Sequence, residues 1–266
     1  MTIISKKIKY TKRDPSEYTQ RTLGEGNGYA IETDLILLEP ILLERDVPKL
    51  WEVYKDHPEL FAFMPHGPCL TYESFYAVQA GFCSNPGFFN WAVYLLIDNG
   101  KAEKTKILCG SICLLDIVLQ FRRFEVGSIW FHPSVHSTFV MVETTYALLR
   151  FSFEILEAGR VQWKTHHKNI ASQKAAARLG FDLDGIHRKH MIHCDGTWRN
   201  TYFYSMTDDD WFGFETVSTS AEKMPVESRR PEFALGRQLQ LEKTVETRRE
   251  EGRPLPESVQ QGVALA

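Results

Sequence analysis

The chain lacks the fingerprints that identify many enzymes at sight. It has no G-x-x-x-x-G-K-[ST] loop, no G-x-G-x-x-G opening a helix and no G-x-S-x-G elbow, which removes the Walker, dinucleotide and serine-hydrolase readings. Cysteine is scarce. Cys69, Cys83, Cys109, Cys113 and Cys194 are odd in number and contain no C-x-x-C. Cys109 and Cys113 point the same way on a strand pattern but sit too far apart to bridge. Reduced core thiols in a reducing, cytoplasmic compartment are expected. No apolar run reaches the length of a membrane span and the N-terminus has no signal-peptide core, so a soluble protein with no membrane partner is expected. An excess of one charge is lacking too: 31 basic against 34 acidic residues leave a net charge of −3, which argues against nucleic acid as a partner. The exception is the basic cluster Lys6, Lys7, Lys9, Lys12 and Arg13, read as a solvated arm.

Histidine is present in a cluster, with His187, His190 and His193 beside Cys194. On a regular strand His187 and His193 share one face and His190 takes the other, and His166 and His167 diverge, so no metal site is expected. The 43% hydrophobic content over 266 residues is ample for a core. Composition divides the chain into an N-terminal extension (1–33), a folded domain (34–215) and a polar C-terminal tail (216–266). The tail is expected to be disordered or loosely docked, with a solvated helix possible over 237–251. Strands are expected over 35–41, 89–97, 107–119, 124–131, 161–165, 186–193 and 202–206. Helices are expected from an Asp46 cap to His57, with Pro48 in the first turn, and over 72–83 and 142–157. In the last of these Glu143, Arg150, Glu154 and Glu157 form a narrow polar stripe.

The most informative stretch runs from Gly159 to Phe181, GRVQWKTHHKNIASQKAAARLGF. Val161, Trp163 and Thr165 alternate against Gln162 and Lys164 as in a half-buried strand. Asn169 stands where a helix N-cap belongs, Ala171, Ala175, Ala176 and Leu179 form the inward face, and Gly180 supplies a left-handed C-cap from which Phe181 folds back onto Ala176. Alanines bury little area, so this helix is suited to close approach by a neighbour.

The pattern N-x-x-S-x-x-A-A-x-R-L-G-F followed by D-G-I-H-R resembles the C-terminal half of a GNAT-fold acyltransferase, most similar to the RimJ/RimL-like N-acetyltransferases. EVGSIWFHP (Glu125 to Pro133), VETTYALLRFSF (Val142 to Phe153) and TYFYSMTDDDW (Thr201 to Trp211) carry the same resemblance in the right order. It implies an α/β GNAT fold in a single domain, a mixed twisted sheet flanked by helices. It also implies acetyl-CoA as donor and an amine as acceptor, on a small molecule or a protein N-terminus, with direct attack in a ternary complex by a monomer or homodimer. Other acyl-CoA chemistry on the same scaffold and a non-catalytic binding module remain the alternatives.

By resemblance, two neighbouring parallel strands splay around the pantetheine arm, here 125–131 and 161–165, with Ile129, Trp130 and Phe131 offering main-chain partners. The same resemblance puts the pyrophosphate on the loop into the long helix, taking in Ser137, Thr138, Phe139, Val140, Met141 and Val142. Helix N-termini do bind phosphate, but this loop lacks the glycines and basic residues usual in the superfamily. Asn169 and Ser172 match positions facing the cofactor near its sulfur, and capping explains both residues equally well. The helix tyrosine that serves many relatives as acid is replaced by Ala176, which leaves Ser172 or water. Glu125 matches the glutamate of the RimJ/RimL-like pattern as base, against the reading of a strand-edge charge paired with Arg122 or Arg123. Asp116, a carboxylate in an apolar run, is a second candidate. Phe63, Met64, Trp91 and Tyr94, with Phe61, suggest an acceptor pocket more aromatic than acidic.

Overall fold

A computed structural model describes residues 8–12, 28–100, 102–213, 237–261 and 264–265. Lys6, Lys7 and Arg13 of the basic cluster, and the start of the polar tail, lie outside the described residues. Among those described, nine strands form one sheet: β1 (Lys9–Lys12), β2 (Tyr29–Glu32), β3 (Ile36–Pro40), β4 (Phe89–Ile97), β5 (Thr105–Val118), β6 (Arg123–Phe131), β7 (Arg160–His166), β8 (Asp182–Ile192) and β9 (Trp198–Thr207). Their order is β1-β2-β3-β4-β5-β6-β7-β9-β8. Every neighbouring pair is antiparallel except β6 with β7. A parallel pair needs a crossover, and helix α3 (Val140–Arg150) supplies it between β6 and β7.

Alternation along the central strands gives each face of the sheet its own core. Trp91, Val93 and Leu95 of β4 join Phe124 and Val126 of β6, Val161 and Trp163 of β7, and Tyr146, Ala147 and Phe151 above them. On the opposite face Ala92 and Trp130 meet α1 (Leu43–Tyr54) and α2 (Tyr72–Ser84). There Tyr54, Phe61, Phe75 and Trp130 form an aromatic knot. Ring centroids are 4.3 Å apart for Tyr54 and Phe61, and 5.8 Å for Tyr54 and Trp130. The connector between α1 and α2 is thereby fastened to β6.

Helix α1 begins at Leu43 rather than behind an Asp46 cap. Asp46 caps from within: its Oδ2 accepts the Leu42 N–H at 2.8 Å, which moves Pro48 into the helix body. The expected 142–157 helix starts earlier, at Val140, and ends in a π-helical turn over Phe151–Ile155. Helix α4 (Ile170–Arg178) follows its pattern closely. Asn169 Oδ1 accepts the Ser172 N–H at 3.1 Å, Gly180 is left-handed at φ 86°, and the Phe181 N–H returns to the Ala176 carbonyl at 3.0 Å.

Glu143 departs furthest from its expected place. It is fully buried (0% exposed) rather than on a solvent stripe. Its carboxylate accepts from Thr33 Oγ1 at 2.5 Å and from Arg249 at 2.8 and 2.5 Å. Arg249 lies on α6 (Arg237–Glu251), whose Leu241 and Val245 are buried on the α3 face and whose Glu242 accepts from the Tyr146 hydroxyl at 2.6 Å. The segment expected as a solvated helix is docked, because two apolar side chains and two buried polar contacts share one face of it. Two short helices, α5 (Asp208–Phe212) and α7 (Glu257–Gln260), bury Trp211 and Val259 in the same core.

Removing one partner of a buried ion pair leaves an uncompensated charge. Arg249→Ala is therefore expected to destabilise the fold by about 3 kcal/mol, the low end of the range because Arg249 is partly exposed. The corresponding fall in melting temperature is roughly 6 to 12 °C. Adding Glu143→Gln to Arg249→Ala should recover part of the loss. Urea denaturation of wild type and the two variants checks this, and an unchanged midpoint for Arg249→Ala would show that its pair with Glu143 contributes nothing.

Candidate active site

Strands β6 and β7 pair at only three positions, Arg123 with Arg160, Phe124 with Val161 and Glu125 with Gln162. Beyond them β6 stays paired with β5 as far as Phe131, and β7 stays paired with β9 as far as His166, so the two strands part. A bulge helps β6 turn away: Ser128 is left-handed at φ 49°, and the register with β5 shifts between Ser111 and Cys113. A cavity of about 400 Å³ opens in the gap.

Gly127, Ile129, Trp130 and Phe131 line one side of it, and Trp163, Thr165, Asn169, Ser172 and Ala175 line another. The small face of α4 sits here as the alanine pattern implied, although Ala171 is exposed at the mouth rather than inward. Trp163 Nε1–H donates to Ser172 Oγ at 3.0 Å, which leaves the serine hydroxyl proton free to point elsewhere. Ala176 is fully buried in the core, and no acid stands in its place.

The loop into α3 closes one end of the cavity through His136, Ser137 and Met141. Thr138 Oγ1 accepts the Val140 N–H at 3.2 Å. The first intrahelical bond is from the Glu143 N–H to the Phe139 carbonyl, so Met141 and Val142 keep N–H groups without partners inside the helix. Of the loop residues expected at the cofactor, Thr138, Phe139, Val140 and Val142 do not line the cavity, and the side chains of the last three go into the core. His136 Nε2 lies 2.8 Å from the Phe131 carbonyl oxygen.

Leu60, Phe63 and Met64 form the wall contributed by the α1–α2 connector. The tip of the β8–β9 hairpin rests on that connector, with the Cys194 N–H donating to the Pro65 carbonyl at 3.1 Å. Trp91 and Tyr94 do not belong to the site. Trp91 is 1% exposed in the α3-side core with its Nε1–H on the Tyr29 carbonyl at 2.7 Å. Tyr94 points to the other face, where burial raises its hydroxyl pKa to about 12. Three residues apart on one strand, the two were never able to share a pocket.

Glu125 is 6% exposed, and its partner is neither Arg122 nor Arg123 but Lys164, at 2.7 Å. Arg122 goes to Asp208 at 3.3 Å, and Arg123 to Asp116 at 3.8 Å. Burial raises the Glu125 pKa, and the Lys164 ammonium opposes this without cancelling it. Lys164 is bound by Asp116 as well, at 2.8 Å. Burial lowers its pKa, yet the two carboxylates outweigh that effect and the net shift is upward. Glu125 does not itself line the cavity but lies behind the lining residue Gly127, where a Cβ would stand 3.3 Å from Glu125 Oε1. Asp116 is paired outside the cavity at a left-handed position, φ 50°.

Sequence reasoning passed over Lys164, His166 and Arg199, which all line the cavity. The histidines also depart from the regular-strand expectation. His166 and His167 stack at 4.3 Å, and His187 and His190 approach to 5.8 Å because Lys189 is left-handed at φ 51°. Among the described residues no group of three or more His, Cys, Asp and Glu could hold a metal ion. No helix among them is long and apolar enough to cross a membrane.

Residues 35–182 match the family model described as an acetyltransferase (GNAT) domain. Over 117 residues the chain is 24% identical to the Uncharacterized N-acetyltransferase YnaD of Bacillus subtilis (strain 168), covering 42% of this chain and 68% of that protein. The crystal structure of a GCN5-related N-acetyltransferase from Brucella melitensis is similar at 25% identity and a TM-score of 0.60, over 69% of this chain and 80% of that one. Mycobacterium smegmatis RimJ in complex with CoA-disulfide shares the fold at 16% identity and a TM-score of 0.53, over 65% of this chain and 81% of that one. With its splayed parallel pair and its nine-stranded mixed sheet, the chain belongs to the GNAT acetyltransferase family and is an N-acetyltransferase.

Proposed function

We propose that the protein transfers the acetyl group of acetyl-CoA to an amine, on a small molecule or a protein N-terminus, by direct attack in a ternary complex. The observation that carries this reading is the parting of β6 and β7 just beyond Glu125, with that buried carboxylate behind Gly127, which lines the cavity so created. The likeness to RimJ supports placing the chain on the RimJ/RimL-like side of the family.

The residues present fit the donor. Backbone groups of Ile129, Trp130 and Phe131 on the side that β7 has left suit the pantetheine amides, and Asn169 and Ser172 border its path. The N–H groups at Met141 and Val142, with Ser137, Thr138, Phe139 and Val140 around them, suit the pyrophosphate. When bound, the thioester supplies the activated acetyl group and a thiolate as leaving group. The chain's own residues then have separate tasks. Leu60, Phe63 and Met64 exclude water on the acceptor side. Glu125 takes the proton of the attacking amine, directly or through one water at Gly127. Ser172 Oγ, held by Trp163, presents its proton towards the departing sulfur.

Glu125→Gln is expected to lower kcat at least about tenfold, with little change in acetyl-CoA affinity. Turnover unchanged between about pH 6 and pH 9 would leave Glu125 a structural role only. The acidic limb of kcat/KM should lie above the ordinary carboxylate range, because burial raises the Glu125 pKa. Lys164 pulls that pKa down, so Lys164→Met should move the limb to higher pH. The sign for stability is the reverse. A carboxyl whose folded pKa is raised stabilises the fold when protonated, and that contribution is lost as pH rises through the folded value. A limb that stays put in Lys164→Met would assign it to another group.

The loop gives a second test. It offers the pyrophosphate backbone N–H groups and a helix dipole but no lysine or arginine between Val135 and Val142. A charge-assisted hydrogen bond is worth about 1.5 to 3 kcal/mol. Ser137→Arg should therefore tighten acetyl-CoA binding roughly tenfold to a hundredfold. It should leave a truncated pantetheine thioester unaffected, and the gain should shrink with salt. Calorimetry reads all three. Equal affinities before and after the change would move the pyrophosphate away from Ser137, and wild type that binds no acetyl-CoA would overturn the reading.

A further inference from the structure

The acceptor side of the cavity carries cationic and donor groups but no lining carboxylate among the described residues. Two of its side chains are cations, Lys164 and Arg199, and they are not equivalent. Lys164 is neutralised twice over, by Glu125 and Asp116. Arg199 is 6% exposed, and its Nε–H donates to Thr201 Oγ1 at 2.9 Å. No carboxylate of a described residue lies within ion-pairing distance of it. Glu125 acts on it only through space, and the Glu125 charge is already engaged by Lys164. A guanidinium has five donors and stays protonated at any working pH. Burying one without a counter-charge is unfavourable unless a ligand completes it.

The position of Arg199 separates it from the pyrophosphate end. Phe203 lies opposite Lys164 in the β7–β9 register, and the Lys164 ammonium stands 5.3 Å from its ring centroid. Arg199 and Thr201 alternate with Phe203 onto that same face. This is the face of Glu125 and the α1–α2 connector, whereas α3 packs on the other.

His166 completes the corner. Its Nδ1 accepts the Lys168 N–H at 2.9 Å, and burial, ahead of its cationic neighbours, lowers its pKa to about 4. The ring is therefore neutral with its proton on Nε2, a donor. Next to it, 4.9 Å between ring centroids, the buried His193 Nε2 has no hydrogen-bond partner among the described residues.

We propose that Arg199 and His166 form an anion subsite on the acceptor side, and that the acetylated amine carries a carboxylate or comparable anionic group beside its amino group. This rests on the acetyl-transfer reading of the same cavity and narrows its substrate class. A bidentate Arg199 contact would hold the anionic end, turning the amine towards the Gly127 wall where Glu125 waits for its proton.

The test pairs free amino acids with their C-terminal amides and with the matching decarboxylated amines, after acetyl-CoA binding has been measured by calorimetry. The carboxylate member of each pair should be acetylated with kcat/KM at least about tenfold higher. Arg199→Gln should abolish that preference by raising KM for the carboxylate members about tenfold to a hundredfold. Its KM for acetyl-CoA should change by less than about twofold, the amides should lose clearly less than the carboxylate members at a pH above the acidic limb, and Arg199→Lys should restore part of the preference. Equal or better turnover of the neutral members, or none of the anionic ones, overturns the subsite while acetyl-CoA binding still supports acetyl transfer. An Arg199→Gln defect equal for every acceptor, with a shifted pH profile, also overturns it and leaves Arg199 balancing Glu125. Wild type that binds no acetyl-CoA overturns acetyl transfer and the subsite together.

Discussion

Two parallel strands that pair for three residues and then separate are the constraint on which the rest of this molecule depends. Alternate residues of β6 and β7 past that point turn towards the gap backbone groups that a continuous sheet would have satisfied, and unpaired groups away from water are costly. The gap persists because each strand is held from its far side. β6 is tied to β5 through a bulge at Ser128 and to the α1–α2 connector through Trp130. β7 is tied to β9 along its whole length. What fills the gap has to be a ligand or water, and α4 leaves it open by presenting serine and alanine where leucine would close it.

Charge is distributed around this gap with similar economy. Burial raises the Glu125 pKa, the Lys164 ammonium and more weakly Arg199 oppose that, and the ammonium is shared with Asp116, so neither carboxylate holds it completely. A base in such a place is deprotonated with less ease than a free carboxylate but binds a proton more readily, which suits taking one from an amine. Burial lowers the pKa of His166 and His193, so His166 adds a donor to the wall without adding positive charge. Arg199 is then the cation left to address a ligand.

How much of this was legible in the sequence depended on how local each signal was. The α4 stretch was read almost residue by residue, because an N-cap, a small inward face and a glycine C-cap are all decided within a dozen positions. Glu125 was legible as a candidate by pattern, but its partner was not, since Lys164 arrives from a strand that follows a whole helix. The histidines were misplaced because strand alternation assumes regular backbone, and one left-handed residue, Lys189, carries His187 and His190 to the same ring of Phe203. Trp91 and Tyr94 were grouped by aromatic character although their spacing sets them on opposite faces. Glu143 looked like part of a solvent stripe because nothing nearby in sequence could neutralise it.

That last case carries further than the others. Glu143 sits in the first turn of α3, close to the N–H groups that face the cavity. A lone carboxylate there would favour the helix dipole but would repel an incoming phosphate. Burial without a counter-charge would also destabilise the turn itself. The two groups that resolve this, Thr33 and Arg249, lie outside the stretch 35–182 that matches the family. Arg199 lies outside it as well. The matched stretch therefore holds the splayed strands and Glu125, the base proposed above. The charge that neutralises its buried carboxylate, and the free cation on its acceptor side, come from flanking sequence. On that account the extensions are part of the site's electrostatics, and the family resemblance alone could not have revealed them.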